Sequence, residues 1–189
     1  MSLLSRLLQP KSRNTDDMPE ECKRLVRLQS ELDCLLSSDD YIAKSNYSAM
    51  ILNYKDVVEY FGVLVSSGTI RNYCKKNGIT VSAVKDTISR YTEIEHLVDT
   101  HNEKYIADTL VSEKTYLDTI LKKVDPQITL DEDQRKVVLS DEDYTLVIAG
   151  AGAGKTTTVA ARVKYLVERK QVDPKKILVV SFTNKAVGE

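Results

Sequence analysis

A glycine-rich loop near the C-terminal end of the chain is the feature that most constrains its fold. The stretch "LVIAGAGAGKTTTVAARV" occupies residues 146–163, and its apolar start precedes three closely spaced glycines. A run of mainly β-branched residues is typical of a buried parallel strand, so we predict a strand at residues 145–149. Beyond Lys155, apolar residues recur at helical spacing to about residue 170. A strand, a glycine loop and a helix in this order form the setting of a phosphate-binding loop.

The predicted loop offers the groups that a nucleotide with Mg²⁺ requires. Glycines allow successive backbone N–H groups to converge on phosphate oxygens, and the N-terminus of the next helix adds a favourable dipole. Lys155 would contact the β and γ phosphates as the catalytic cation, and the Thr156 hydroxyl would bind Mg²⁺. The strict pattern begins with glycine, whereas this loop begins with alanine. The candidate nucleotide-binding residues are Ala149, Gly150, Ala151, Gly152, Ala153, Gly154, Lys155, Thr156 and Thr157.

Composition excludes several other classes of protein. The 189 residues are 42% hydrophobic and 29% charged, with a net charge of −1, so any nucleic-acid contact must be local. The three cysteines form no paired motif and predict reduced core thiols, and the two histidines are wrongly spaced for metal on one helical face. The sequence has no 18-residue apolar run and no signal-peptide core. We therefore expect a cytoplasmic protein without a membrane span.

The chain changes character once along its length. Residues 1–17 resemble a flexible leader, residues 18–125 form a helical N-terminal domain, and residues 126–189 begin a P-loop domain with a second strand at 176–181. The predicted fold is therefore mainly α, with a helical domain followed by the first part of a RecA-like α/β ATPase domain. Helices are predicted at about residues 19–37, 40–65 and 69–76, followed by a long periodic segment from 81 to 121 with a bend near His101 and Asn102.

Three ordered motifs in residues 128–189 resemble the start of superfamily 1 DNA helicases of the UvrD/Rep type. "LDEDQR" is similar to the family's Q motif, "AGAGAGKT" to its phosphate loop, which usually starts with alanine, and "SFTNKA" to its next motif. The resemblance implies an ATP-dependent motor that moves along single-stranded DNA. Helicase IV-like members also carry a helical region before the ATPase core, and "HNEKYIADTLVSEKTYLD" is similar to the end of one.

The resemblance assigns roles to residues on either side of the phosphate loop. Gln134 would contact the adenine edge, because an amide both donates and accepts, although it could equally be the capping-box partner of Asp131, and both roles can hold together. Phe182 and Thr183 would contact single-stranded DNA, and the adjacent Asn184 is a further candidate. Phe182 could instead be a core aromatic residue at a strand end.

This sequence departs from the family pattern in two respects. Several relatives have an arginine after the Lys-Thr pair that helps hold the base, whereas this chain has Thr157. The acidic pair, the arginine fingers and the second motor domain that the family carries after these motifs are not in the sequence. We therefore expect a fragment of a longer helicase that binds nucleotide weakly and does not hydrolyse it alone.

Other classes of protein explain the sequence less well, with one serious alternative. A GTPase would need an aspartate where Val187 stands, and a small-molecule kinase would need a lid. The alternative is a helical module that docks on DNA or on a protein such as RNA polymerase. "TIRNYCKKNGITVSAVKDTI", residues 69–88, resembles a helix-turn-helix, although plain helical hairpins share this spacing. The sequence does not indicate an oligomeric state.

Overall fold

The structure is a computed structural model that describes residues 18–150 and 152–180. Contacts between Cα atoms divide the chain into two compact units, the first ending at Glu103 and the second starting at Lys104. The predicted leader, residues 1–17, lies outside the described residues. The predicted boundary between the helical domain and the P-loop domain, at residues 125 and 126, stays a prediction.

Five helices begin in the first unit, at positions within a few residues of the predicted ones where the pattern was clear. A proline precedes the first helix, and a glycine with φ of +69° ends the third, as expected for an αL stop at Gly78. The helices are α1 (Glu20–Leu36), α2 (Ser45–Ser66), α3 (Ile70–Asn77), α4 (Val81–Thr92) and the start of α5 (Ile94–Ser112).

The first unit has one apolar core built from every one of these helices. Phe61 lies at its centre and makes edge-to-face contact with Tyr60 and Tyr73, at ring-centroid distances of 5.3 and 5.7 Å. Cys22 and Cys74 are buried there, as predicted, but Cys34 is exposed, because it lies off the buried stripe of α1. The largest fully buried apolar side chains of this core are Leu25, Leu28, Leu32, Ile42, Val57, Phe61 and Val84.

The long periodic segment does not bend at His101 and Asn102. Helix α5 runs through both residues, and the interruptions fall at Glu93 and Glu113 instead. The side chain of Asn102 accepts a hydrogen bond from the backbone N–H of Ile42 at 2.8 Å and donates one to its carbonyl at 2.9 Å. A tertiary contact therefore occupies this polar residue, and the helix has no local reason to end there.

The second unit contains two short helices, a longer one and a 3₁₀ turn around a smaller core. They are α6 (Lys114–Thr119), α7 (Glu132–Leu139), α8 (Lys155–Glu168) and the turn Pro174–Lys176. Val138 and Leu139 of α7 pack with Ala161 and Tyr165 of α8, and Leu117 joins them from α6. Among the described residues, none of the helices combines the length and apolarity that a membrane span requires.

The mainly helical fold is confirmed, but neither predicted strand is present among the described residues. Residues 145–149 and 177–180 have no assigned strand, and the 3₁₀ turn includes Lys176. Their apolar side chains are in solvent, with Leu146, Ile148 and Leu178 between 84% and 89% exposed. A strand forms by hydrogen bonding to a neighbouring strand, so β-branched residues alone do not create one. The α/β organisation of the P-loop part stays a prediction.

Candidate functional site

The site begins with a capping box at the start of α7. The Asp131 carboxylate accepts a hydrogen bond from the backbone N–H of Gln134 at 2.8 Å, and Gln134 Oε1 accepts one from the backbone N–H of Asp131 at 3.0 Å. This reciprocal pair satisfies two donors that a helix start would otherwise leave free. The capping role that the sequence offered for Gln134 is therefore present in the structure.

Gln134 also contacts the glycine loop. Its Nε2 donates to the carbonyl of Ala153 at 3.1 Å, which joins the first turn of α7 to the loop. Gly154, the next residue, has φ of +72°, and a Cβ atom there would lie 2.6 Å from Gln134 Nε2. The left-handed backbone favours glycine at this position, and a side chain there would also displace the Gln134 amide.

Lys155 contacts the carbonyl groups of its own loop. Its Nζ donates to the carbonyl of Ala149 at 2.8 Å and to that of Gly150 at 2.6 Å. Gly152 has φ of +78°, which turns the backbone tightly before Gly154. Ala151 lies outside the described residues. The ammonium group is thus held over the loop, and this places a positive charge beside the start of α8.

The N-terminus of α8 carries uncapped backbone donors. The helix begins at Lys155, and no side chain among the described residues caps it. The first N–H with a partner inside the helix is that of Thr158, which bonds to the carbonyl of Gly154 at 2.9 Å. The N–H groups of Lys155, Thr156 and Thr157 come before it, where a helix has no intrahelical acceptor to offer them. This end of α8 has the donors and the dipole that favour an anion.

Arg162 connects α8 to the end of α7 and was missed by sequence reasoning. Its guanidinium donates to the carbonyl of Val138 at 2.7 Å and to the Asp141 carboxylate at 2.8 Å. The sequence placed Arg162 off the apolar stripe of the helix and gave it no role. No local pattern signals such a contact, since its partners lie 21 and 24 residues away.

Ion pairs lower the pKa values of two carboxyl groups near α7. Lys136 lies one helical turn after Glu132, and its ammonium is 2.7 Å from the Glu132 carboxylate. This hydrogen bond lowers the pKa of the Glu132 carboxyl. The Arg135 guanidinium, 2.7 Å from Asp118, lowers the pKa of that carboxyl, and Lys114 adds to the effect. Both acids are therefore charged at neutral pH, and Arg135 ties α7 to α6.

Two cavities flank the first turns of α8. One, of about 450 Å³, is lined by Lys155, Arg162 and the extended residues 177–180. The other, of about 350 Å³, is lined by Thr156 and Thr157 together with the apolar Leu121 and Ile128. The loop residues thus have open space on both sides of the helix. The candidate DNA-contacting residues Phe182, Thr183 and Asn184 lie outside the described residues.

The described residues contain few candidate metal ligands. No group of three or more His, Cys, Asp or Glu side chains among them could hold a metal ion. Thr156, the predicted Mg²⁺ ligand, is exposed at the start of α8 and would supply one oxygen. Mg²⁺ in nucleotide sites takes most of its ligands from phosphates and water, so a single protein hydroxyl suits a metal that arrives with its nucleotide.

Comparison with known proteins identifies relatives of this part of the chain. Residues 130–189 match the profile of the UvrD/REP helicase N-terminal domain. The ATP-dependent DNA helicase UvrD1 of Mycobacterium leprae is 40% identical over 73 residues, which cover 39% of this chain and 9% of that protein. The ATP-dependent DNA helicase PcrA of Staphylococcus epidermidis is 42% identical over 60 residues, 32% of this chain and 8% of that protein.

The similarity is confined to a short part of each relative. The ATP-dependent DNA helicase srs2 of Schizosaccharomyces pombe is 42% identical over 60 residues, which cover 32% of this chain but 7% of that protein. The matched part of the chain covers between 7% and 11% of the length of such curated relatives. No solved structure matches the chain.

Proposed function

We propose, from the premise that residues 130–189 are of the UvrD/REP helicase type, that the chain carries the ATP-binding start of a DNA helicase motor. The motor would couple ATP hydrolysis to movement along single-stranded DNA. The observation that carries the proposal is the position of Lys155, which lies over a glycine loop at the uncapped start of α8.

A triphosphate would replace the carbonyl groups that Lys155 now contacts. Its γ-phosphate would accept from the ammonium group, and the N–H groups of Lys155, Thr156 and Thr157 would donate to the β-phosphate. The distances of 2.8 and 2.6 Å to the loop carbonyls indicate how near Lys155 already is to the loop. Binding would therefore need a side-chain rotation of Lys155 rather than a refolded loop.

Gln134 retains the hydrogen-bonding capacity to read adenine. An amide has two N–H donors and two carbonyl lone pairs, and Gln134 uses one donor on Ala153 and one lone pair on Asp131. One donor and one acceptor remain, which is the pair that the edge of adenine requires. The capping box and the loop contact would orient the amide before the base arrives.

Mg²⁺ would be held by the Thr156 hydroxyl and by the nucleotide itself. The metal would neutralise charge on the β- and γ-phosphates during phosphoryl transfer. The acidic residues and arginine fingers that complete this chemistry in the family are outside the 189-residue sequence. We therefore expect this chain to bind ATP with modest affinity and to show no turnover. In the longer helicase, Phe182, Thr183 and Asn184 would contact the single strand.

The experiment is a titration of the 189-residue chain with a fluorescent ATP analogue in Mg²⁺. Replacing Lys155 by Ala should weaken binding about 10- to 100-fold, because a charged hydrogen bond to phosphate is worth roughly 1.5–3 kcal/mol. Lys164→Ala is the matched control, since Lys164 lies on the same helix and its ammonium pairs with Glu168 at 3.8 Å rather than with the loop. Equal affinity of the wild-type chain and Lys155→Ala, or an equal loss in both variants, would reject the nucleotide site.

A second measurement tests the motor in a helicase that carries this chain as its N-terminal part. ATPase activity with saturating single-stranded DNA should fall on the order of 10²-fold or more for Lys155→Ala, as for loss of one preorganised donor to the transition state. Phe182→Ala should weaken single-strand binding and leave unstimulated turnover nearly unchanged. Loss of unstimulated turnover with intact DNA affinity would show that Phe182 has a core role instead.

A further inference from the structure

Charge is unevenly distributed within the first unit. Residues 61–92 contain five lysines and arginines and a single acid, Asp86, whereas residues 18–60 contain five basic and eight acidic residues. The chain as a whole has a net charge of −1. The segment that forms α3 and α4 therefore carries a net positive charge, because acidic residues are scarce in it.

The segment folds as a helix, a three-residue turn and a second helix. Gly78 ends α3, and the N–H of Ile79 bonds to the carbonyl of Cys74 at 3.1 Å. Thr80 caps α4 by accepting a hydrogen bond from the N–H of Ala83 at 3.3 Å. Ile79 and Ala83 are buried between the helices. A three-residue turn between two short helices occurs in helix-turn-helix motifs.

One face of α4 is buried and the opposite face is free. Ala83, Val84 and Thr87 lie inside the unit, where α4 packs on α1 and α2. Ser82, Lys85 and Ser89 are exposed and fall three and seven positions apart, which places them on one side of the helix. Two of these three side chains are short, so the helix backbone can approach a partner closely.

One of the five cations of this segment is part of the fold, and three others face solvent without an ion pair among the described residues. Arg90 pairs with Asp33 at 2.7 Å and is only 17% exposed, so it belongs to the fold. Arg71 and Lys75 lie one turn apart on the exposed side of α3, and Lys85 lies on the exposed side of α4. In the part of the chain that the structure describes, these three residues have no ion-pair partner.

We propose that α3 and α4 form a binding site for double-stranded DNA. Helix α4 would lie in the major groove with Ser82, Lys85 and Ser89 toward the bases, and Arg71 and Lys75 of α3 would contact the phosphate backbone. Charge complementarity selects this occupant, because cations without an ion-pair partner attract a polyanion, while the neighbouring acids are already engaged: Asp86 lies 3.8 Å from Arg90, and Glu93 accepts a hydrogen bond from Ser89 at 3.1 Å. None of these residues belongs to the phosphate loop or to the candidate single-strand contacts at residues 182–184.

The test measures binding of a labelled blunt-ended duplex of about 20 base pairs to the full 189-residue chain at several salt concentrations. The variant Arg71→Gln/Lys75→Gln/Lys85→Gln keeps helix-forming side chains and removes three charges. Its duplex affinity should fall about 10- to 100-fold, and the slope of log affinity against log salt should decrease by about 0.9 for each lost phosphate contact. A circular dichroism spectrum like that of the wild-type chain verifies that the variant is folded.

The control is Lys55→Gln, an exposed lysine of α2 outside the segment whose ammonium lies 4.0 Å from the Glu59 carboxylate. It should bind the duplex within twofold of the wild-type chain. An equal loss in the control and the triple variant would reject the site, since binding would then follow net charge alone. Absence of duplex binding by the wild-type chain would also reject it and would favour an acidic protein as the partner of this face.

Unlabelled single strand of the same sequence should compete poorly, and equal competition would contradict a groove-reading helix.

Discussion

The first unit buries most of its large apolar side chains, whereas the second unit leaves many of its own in solvent. Phe61 and Leu25 are fully buried in the first, while Leu146 and Leu178 are 84% and 86% exposed in the second. A helix satisfies its own backbone hydrogen bonds, so helices with one apolar stripe need only meet each other to form a core. A strand depends on a neighbouring strand for the same bonds. The comparison teaches that an apolar segment is buried only where its backbone N–H and C=O groups also find hydrogen-bond partners.

The two units also hold their functional surfaces by different means. In the first, the exposed face of α4 is positioned by apolar packing of Ala83 and Val84 on the other side of the helix. In the second, the loop is positioned by backbone conformation at Gly154 and by the contact from Gln134 to Ala153. Substitutions in the two units should therefore lower stability or binding for different physical reasons.

The largest expected effect is in the packed unit. Phe61→Ala should lower the free energy of unfolding by about 3–5 kcal/mol, because it leaves a cavity among the rings and helices that surround it. Urea unfolding followed by circular dichroism measures this. Leu52→Ala is the control, since Leu52 is 76% exposed on α2 and should change the free energy by less than about 0.5 kcal/mol. Similar costs for the two would break the comparison.

The next effect separates backbone strain from collision at the loop. Gly154→Ala should cost about 1–3 kcal/mol locally and weaken ATP binding, because Ala must adopt φ of +72° and its Cβ meets Gln134. Gly68→Ala is the matched control: its φ is +74°, but a Cβ there meets nothing within 4 Å. Thermal unfolding and the fluorescent ATP titration should both show the larger loss for Gly154. Equal stability losses and unchanged ATP affinity would mean that the contact to Gln134 has no role.

A smaller effect distinguishes the two roles of Gln134. Gln134→Glu keeps an acceptor for the N–H of Asp131 but removes the donor to Ala153, so α7 should keep its stability while ATP affinity falls about 3- to 10-fold. Gln134→Ala should lose both, with an additional cost of about 1 kcal/mol in unfolding free energy. Normal ATP affinity in the Glu variant would limit Gln134 to the capping box.

The smallest effect is expected at the exposed apolar segment of the second unit. Leu178→Ser should change the unfolding free energy by less than about 0.5 kcal/mol, because the side chain is 86% exposed and buries little on folding. Urea unfolding of the 189-residue chain is the measurement. A loss above 1.5 kcal/mol, typical of a core leucine, would show that residues 177–180 are packed in solution and would remove the contrast between the units.

Local sequence patterns determined the first three helices of the first unit, the αL stop at Gly78 and the possibility of a capping box at Asp131 and Gln134. Each of these depends on residues within a turn or two of one another, so spacing alone indicates them. The order of an apolar run, a glycine loop and a helix likewise located the candidate nucleotide site. The pattern did not predict that Leu146 and Ile148 would be exposed and outside any strand, as they are in the structure.

Only the tertiary structure decided which polar groups meet across the chain. Gln134 contacts a carbonyl 19 residues away, Arg162 contacts Val138 and Asp141, and Asn102 contacts Ile42 across 60 residues, which keeps α5 intact where a bend was predicted. The roles of Lys155 and Gln134 toward a nucleotide stay predictions that the experiments above test. Such contacts escape sequence reasoning because a side chain's partner is set by how helices pack, and packing depends on the summed shape of many apolar residues rather than on any local spacing.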